Sequence, residues 1–206
     1  MVKITLTIGV LSVQGAISEH VQIMRKVIDD SSIHGDVIQI REKEDVDKID
    51  SLIIPGGEST AISRMMLKLG IYERIIERVN DDSLPIMGTC AGCILLAKSI
   101  TNNSGEVKSL NLMDMEVDRN AFGRQKESFE SDIIFDDFKK PYHAVFIRAP
   151  VIKRVWGKCN ILSTIDKKII VAARQDNLLA LAFHPELTRD TRIHQYFLDM
   201  ISKLSL

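Results

Sequence analysis

Pro85-Ile86-Met87-Gly88-Thr89-Cys90-Ala91-Gly92-Cys93-Ile94-Leu95-Leu96 is a short apolar run that stops at Gly88, sets Cys90 between two glycines, and resumes as an apolar stretch of helical character. This is G-x-[nucleophile]-x-G, the pattern of a nucleophile elbow, with cysteine in the serine position. Small neighbours suit such a turn. The central residue is held in a strained conformation, and its side chain must stand clear of the backbone. A thiol at a helix N-terminus also meets the positive end of the peptide dipoles, which favours the thiolate. The plain alternative is a buried cysteine at a strand end.

Outward from the elbow, strand-like and helix-like segments alternate. Lys3 to Leu11 is rich in β-branched residues and predicts a first strand. Glu19 to Ile28 places Val21, Met24, Val27 and Ile28 on one helical face. Val37 to Ile40 and Ser51 to Ile54 read as strands, the second stopped by Pro55-Gly56-Gly57. Ser59 or Thr60 is placed to cap a helix carrying Ile62, Met65, Met66 and Leu69, and Tyr72 to Val79 predicts another. Such alternation implies parallel strands with helices on both faces.

The second half changes character. Leu110 to Asp118, Ser128 to Ile134, His143 to Ile147, Cys159 to Ile165, Ile169 to Ala173 and Leu178 to Phe183 are short strand-like runs. Asp166-Lys167-Lys168 and Gln175-Asp176-Asn177 look like hairpin turns. The expectation is an α/β sheet extended by antiparallel strands and closed by a helix from Arg192 to Leu204. The 206 residues suit one domain spanning positions 1–206.

Composition narrows the classes. With 45% hydrophobic and 27% charged residues the chain is neither disordered nor membrane-spanning. No apolar run approaches the roughly 20 residues of a membrane span, and Met1 to Leu6 alternates like a strand rather than a signal peptide. A net charge of −1 argues against nucleic acid or an anionic membrane surface as partner. Three cysteines make no disulfide framework, so a reducing compartment, the cytoplasm, is expected.

Four groupings can carry chemistry. Pro55-Gly56-Gly57-Glu58-Ser59-Thr60 follows a strand; its glycines let backbone approach a ligand, and its N–H groups suit an oxyanion hole. The same loop is equally readable as a tight turn, and it lacks the Walker lysine. Phe183-His184-Pro185-Glu186 follows an apolar strand. If the chain stays extended there, His184 and Glu186 point the same way, and the carboxylate can fix the imidazole tautomer. The motif alone is commonplace; its place at a strand C-terminus, like that of Cys90, gives it weight. His20, His34, His143 and His194 read as surface or structural residues. Cys90-Ala91-Gly92-Cys93 also spells a C-x-x-C, which admits a thiol redox reading, but no second pair has zinc spacing and no metal is expected. Arg119 to Gln125, with Ile147-Arg148-Ala149-Pro150, offers arginines able to hold a carboxylate, although exposed arginines are usually just solvated.

Taken together, these residues resemble the class I, triad-type glutamine amidotransferases. They are most similar to the glutaminase subunits that serve pyridoxal 5′-phosphate synthases. The stretches that carry the resemblance are Gly9-Val10-Leu11-Ser12-Val13-Gln14-Gly15-Ala16, Pro55 to Thr60, Gly88-Thr89-Cys90-Ala91-Gly92, Arg119-Asn120-Ala121-Phe122-Gly123-Arg124-Gln125 and Phe183-His184-Pro185-Glu186-Leu187-Thr188. The cysteine and His-x-Glu motifs are superfamily-wide, and the other strings are more specific. Cys93 stands where an aliphatic residue is expected, and Lys139 to Asp166 matches only loosely.

The resemblance implies a three-layer α/β class I glutaminase (flavodoxin-like) fold, its central sheet mostly parallel with an antiparallel extension. It implies hydrolysis of L-glutamine to glutamate and ammonia without a cofactor. The ammonia would pass to a separate synthase subunit that builds the vitamin B6 cofactor from a pentose phosphate and a triose phosphate. It assigns Cys90, His184 and Glu186 as the triad and the N–H groups of Gly57 and Ala91 as the oxyanion hole. Gly57, Glu58, Ser59, Arg119, Ile147 and Arg148 would contact glutamine, and Gln14 would lie at the surface that meets the synthase subunit. Rival readings are a glutaminase of another synthase, a γ-glutamyl hydrolase, a C-x-x-C redox protein and a non-catalytic binding subunit. Cys93→Ser separates the redox reading from the rest. It is expected to spare glutamate release from L-glutamine, whereas loss of release would show that the second cysteine takes part.

Overall fold

The computed structural model describes residues 5–103, 105–119 and 128–202. Positions 120–125 of the arginine-containing string, the start of the first predicted strand and the end of the last predicted helix lie outside them. In chain order the elements begin with β1 (Thr5–Leu11), α1 (Ile17–Asp29), β2 (His34–Ile40), β3 (Ser51–Ile54), α2 (Ser59–Lys68), α3 (Ile71–Asp82), β4 (Ile86–Thr89) and α4 (Ala91–Leu96). Then come β5 (Ala97–Thr101), β6 (Met113–Asp118), β7 (Ser128–Phe135), β8 (Tyr142–Ile147), β9 (Val151–Val155), β10 (Asn160–Ile165), β11 (Ile169–Gln175), β12 (Leu178–Leu181) and α5 (Arg192–Ser202).

The sheet runs β2-β1-β3-β4-β12-β11-β10-β7-β8. Its first five strands are parallel. From β12 onward each neighbour is antiparallel. A side branch runs from β11 through β9 to β6 and β5. The fold is therefore the expected mostly parallel α/β sheet with an antiparallel extension.

Alternation along each strand sends side chains to two cores. Leu52 and Ile54 of β3 join Ile62 and Met66 of α2, Ile71 and Ile75 of α3, and Leu95 of α4 on one face. Ile53, between them, joins Met24 and Val27 of α1 and Phe197 and Ile201 of α5 on the other. Three layers result. Ile8, Leu52, Ile53, Ile54, Ile86 and Met87 are all fully buried, as the central strands of a doubly covered parallel sheet must be.

Both predicted hairpins form. Ile165 pairs with Ile169 and Gln175 with Leu178, and Asp166, Lys167 and Asp176 take the positive φ such tight turns use. Two strands were not legible. β5 follows α4 without any turn residue, so nothing in the apolar run marks the change of period, and β9 lies in the loosely matching region. One cap differs from expectation. Glu58, not Ser59 or Thr60, is the N-cap of α2, its carboxylate accepting from the Thr60 and Ala61 N–H groups at 2.9 and 2.6 Å. The longer side chain reaches both donors from one residue earlier.

Gly92 is where α4 closes onto the sheet. A Cβ there would overlap the Ile54 carbonyl of β3, which is backbone and cannot yield as a side-chain tip would. Gly92→Ala should therefore destabilise the chain by about 1–3 kcal/mol, the usual cost of overpacking, read as a lower urea midpoint at unchanged slope.

Candidate active site

The parallel pairing of β4 with β12 sets Thr89 opposite Leu181. Cys90 follows Thr89 directly, and its N–H donates to the Leu181 carbonyl at 2.8 Å. His184 leaves β12 three residues past Leu181, its N–H donating to the Val145 carbonyl of β8 at 2.8 Å. Both side chains thus stand at the C-terminal end of the parallel strands, where open α/β folds gather their sites. The loop after β3 ends there too, since Ile54 pairs with Gly88.

Cys90 has φ 48° and ψ −101°, the strained turn the G-x-C-x-G pattern predicts. It is 7% exposed, and its thiol reaches the Ile147 carbonyl at 3.8 Å. The His184 ring has Cys90 as a close neighbour on one side, both crowding the same space beside Gly56. On the other, Nδ1 lies 2.7 Å from Glu186 Oε1. Burial opposes a charge on His184, but its interactions with Cys90 and Glu186 outweigh it and raise its pKa to about 10. In neutral solution the imidazole is protonated, and Nδ1–H donates to the carboxylate.

The expected trio is thus in contact, although not by an extended chain. Pro185–Leu187 form a 3₁₀ turn, and His184 at its start has φ −109° and ψ 85°. The turn folds the carboxylate back under the ring. Proline at the first helical position suits that turn and still keeps His184 out of the helical region.

Gly56 is a site residue that inspection of the sequence did not single out. A Cβ on it would run into the His184 ring and stand 3.2 Å from Cys90 Cβ. The signal was the glycine pair itself, since one glycine suffices for a turn and the second needed its own reason. Gly57 is exposed beside it, and Ala91 opens α4, where a first-turn N–H has no carbonyl within the helix. Gln14 Oε1 accepts from the Glu58 N–H at 2.8 Å, and the Ala16 N–H donates to the Gly56 carbonyl at 3.1 Å. The segment after β1 therefore clamps the glycine loop.

Glu58 has a structural duty as well as its expected one. Burial works against its charge, but the N–H groups of Thr60 and Ala61, the Thr60 hydroxyl and Arg119 outweigh that and lower its pKa. Arg119 Nη2 stands 3.7 Å from Glu58 Oε1 and 3.3 Å from Thr60 Oγ1, and Nη1 is 3.7 Å from Glu106 Oε2. Ser59 is buried in the first turn of α2. Ile147, at the end of β8, and Arg148 are both exposed, and Arg148 holds a φ of 44°.

Cys93 is fully buried one helical turn from Cys90, and burial pushes its thiol well up. Cys90, Cys93 and Cys159 are all free thiols. A resolving cysteine must be accessible and easily ionised, which Cys93 is not. Among the described residues no group of three or more His, Cys, Asp or Glu side chains could hold a metal ion, and no helix is long and apolar enough to cross a membrane.

Comparison with known proteins concerns the family and the fold. A family model described as the SNO glutamine amidotransferase family matches residues 10–203. The pyridoxal 5′-phosphate synthase subunit PdxT of Staphylothermus marinus is 47% identical over 95% of this chain and 98% of its own. That of Methanococcoides burtonii is 46% identical over 94% and 98%. A crystal structure described as a glutamine amidotransferase superposes with a TM-score of 0.84 at 39% identity, covering 95% of this chain and 98% of that one. A glutamine amidotransferase from Thermotoga maritima shares the fold at TM-score 0.60 and 14% identity, over 100% of this chain and 87% of that one.

The raised His184 value has a consequence for stability. The folded pKa lies above the unfolded one, about 6.5. The stabilisation is therefore complete below about pH 6.5 and lost as pH rises through about 10. Unfolding free energy measured from pH 6.5 to 10 should fall more steeply for the natural chain than for His184→Gln.

Proposed function

The chain belongs to the SNO glutamine amidotransferase family, and on that premise we propose that it is the glutaminase subunit of a pyridoxal 5′-phosphate synthase. It acts as a single amidotransferase domain, hydrolysing L-glutamine and delivering ammonia to the synthase subunit in a cytoplasmic hetero-oligomer. The observation that carries this reading is the His184–Glu186 pair, 2.7 Å apart and set beside Cys90 at a strand-end elbow.

In this mechanism the Cys90 sulfur, as thiolate, attacks the side-chain amide carbon of glutamine. The carbonyl oxygen becomes an oxyanion held by the N–H groups of Gly57 and Ala91. His184 gives a proton to the amide nitrogen, the C–N bond breaks and ammonia leaves. His184, now neutral, takes a proton from water, whose oxygen attacks the thioester carbon. The C–S bond breaks, releasing glutamate and restoring the thiolate beside the imidazolium. Glu186 keeps the ring in place and balances its charge.

The carboxylate and amino groups of glutamine need partners of opposite sign. Arg119 and Arg148 supply positive charge, while Glu58, Ser59 and the Ile147 carbonyl supply acceptors. Gln14 belongs to the surface that meets the synthase subunit. Its hold on the Glu58 N–H gives a docking partner a direct grip on the glycine loop.

The test is glutamate release from L-glutamine with and without the synthase subunit. Release should require the partner for full rate, and Cys90→Ala should reduce it to background. Equal release by Cys90→Ala would overturn the nucleophile assignment. Release indifferent to the partner would leave a glutaminase but remove its assignment to this synthase.

A further inference from the structure

α1 brings to the back of the site a histidine that the mechanism above does not use. His20 is wholly buried. Its Nε2 stands 3.3 Å from Glu186 Oε2 and 3.2 Å from Thr89 Oγ1 of β4. Its Nδ1 is 3.1 Å from Nε2 of His194, on α5. Glu186 is therefore flanked by two imidazoles, His184 at Oε1 and His20 at Oε2. Oε2 is buried, and among the described residues it makes no hydrogen bond of full geometry. The charged oxygen and the His20 ring nitrogen face each other in a dry interior, where an unmatched carboxylate oxygen is costly.

One arrangement of protons suits the row. Burial, with His194 and His184 nearby, keeps His20 neutral, and burial alone lowers the pKa of His194 to about 3. Each ring thus carries a single N–H. With the His20 proton on Nδ1, the bare Nε2 would meet the carboxylate lone pairs. His194 would then have to bury an N–H at Nδ1, an atom with no partner. With the proton on Nε2, His20 donates toward Glu186 and Thr89, and His194 Nε2–H donates to His20 Nδ1. Only a bare acceptor is then left over, at His194 Nδ1. The titratable groups facing His20 are His194 from α5 and Glu186 and His184 from the segment after β12.

We propose that His20 is a positioning residue of this site: its Nε2–H holds the far oxygen of Glu186 so that Oε1 stays turned to His184, and His194 fixes the tautomer that allows it. The proposal rests on Cys90, His184 and Glu186 being the reacting set. A carboxylate held at one oxygen only can swing about its bond to the chain; held at both, it presents one lone pair to His184 through every proton transfer.

Two polar substitutions separate this role from simple packing. Gln at position 20 carries a carboxamide N–H where Nε2–H stands, whereas Asn carries one only where Nδ1 stands. The His184 ring is titrated by NMR in ¹³C-histidine-labelled free chain, its signal assigned by its absence in His184→Gln. His20→Gln should keep the natural midpoint, and His20→Asn should lower it by about one pH unit, since a hydrogen bond to a charged group is worth about that. In the complex with the synthase subunit, His20→Asn should lower kcat about tenfold, the same unit expressed as a rate, with KM little changed, and His20→Gln should restore it. An unchanged His184 midpoint in His20→Asn, or an equal fall in His20→Gln, overturns the proposal. If the natural complex releases no glutamate while the midpoint falls only in His20→Asn, the glutaminase reading fails and the positioning role stands.

Discussion

Two short parallel strands, Ile86–Thr89 and Leu178–Leu181, paired with Thr89 opposite Leu181, are the constraint on which the rest depends. They join residues separated by about half the chain. The hydrogen bond from the Cys90 N–H to the Leu181 carbonyl continues the ladder one step past the strand end and fixes where the elbow stands relative to the segment carrying His184. A slip of one residue would turn Cys90 toward the wrong face of the sheet. Such a slip is costly because every residue of both strands is buried on one face or the other. The positional accuracy of the site is therefore a property of the hydrophobic core.

That core also sets the electrostatics. His184 and Glu186 are 8% and 6% exposed, and behind them His20 and His194 are fully buried. An ion pair in such a place is tolerated only when its remaining polar atoms are matched. Glu186 meets His184 on one oxygen and faces His20 on the other. The two rear histidines stay uncharged because no solvent is available to stabilise a second positive charge. His184, in front, keeps its charge because Cys90 and Glu186 stand against it. One residue type serves two purposes, and the difference lies in the neighbours.

The loops are held as closely as the strands. Gln14 and Ala16 clamp the loop of Gly56 and Gly57, and Glu58 both caps α2 and faces Arg119. Gly56 has no room for a side chain because the His184 ring occupies that space. The segments after β1, β3, β4 and β12 thus meet at one end of the sheet. A change in any of them reaches the neighbourhood of Cys90 through backbone contacts, which a surface able to regulate the site would require.

Much of this was legible in the chain itself. Local signals carry the elbow, because G-x-C-x-G is a statement about one turn, and they carry the strand–helix alternation, because periods of 2 and 3.6 are written in neighbouring residues. The hairpin turns at Asp166-Lys167 and Asp176-Asn177 were legible for the same reason. The proximity of His184 and Glu186 could be expected from their spacing, although the 3₁₀ turn that achieves it could not. Tertiary structure alone decided the remainder. The change from α4 to β5 depends on pairing with β6, and the cap on α2 on which side chain reaches the free N–H groups. The histidines divide by what packs on them: His143 is exposed between Asp132 and Glu130, whereas His20 is sealed against Glu186. Sequence determines which residues are able to do chemistry and which local shapes they prefer. Only packing across the sheet, which sets burial and counterions, determines which of them meet.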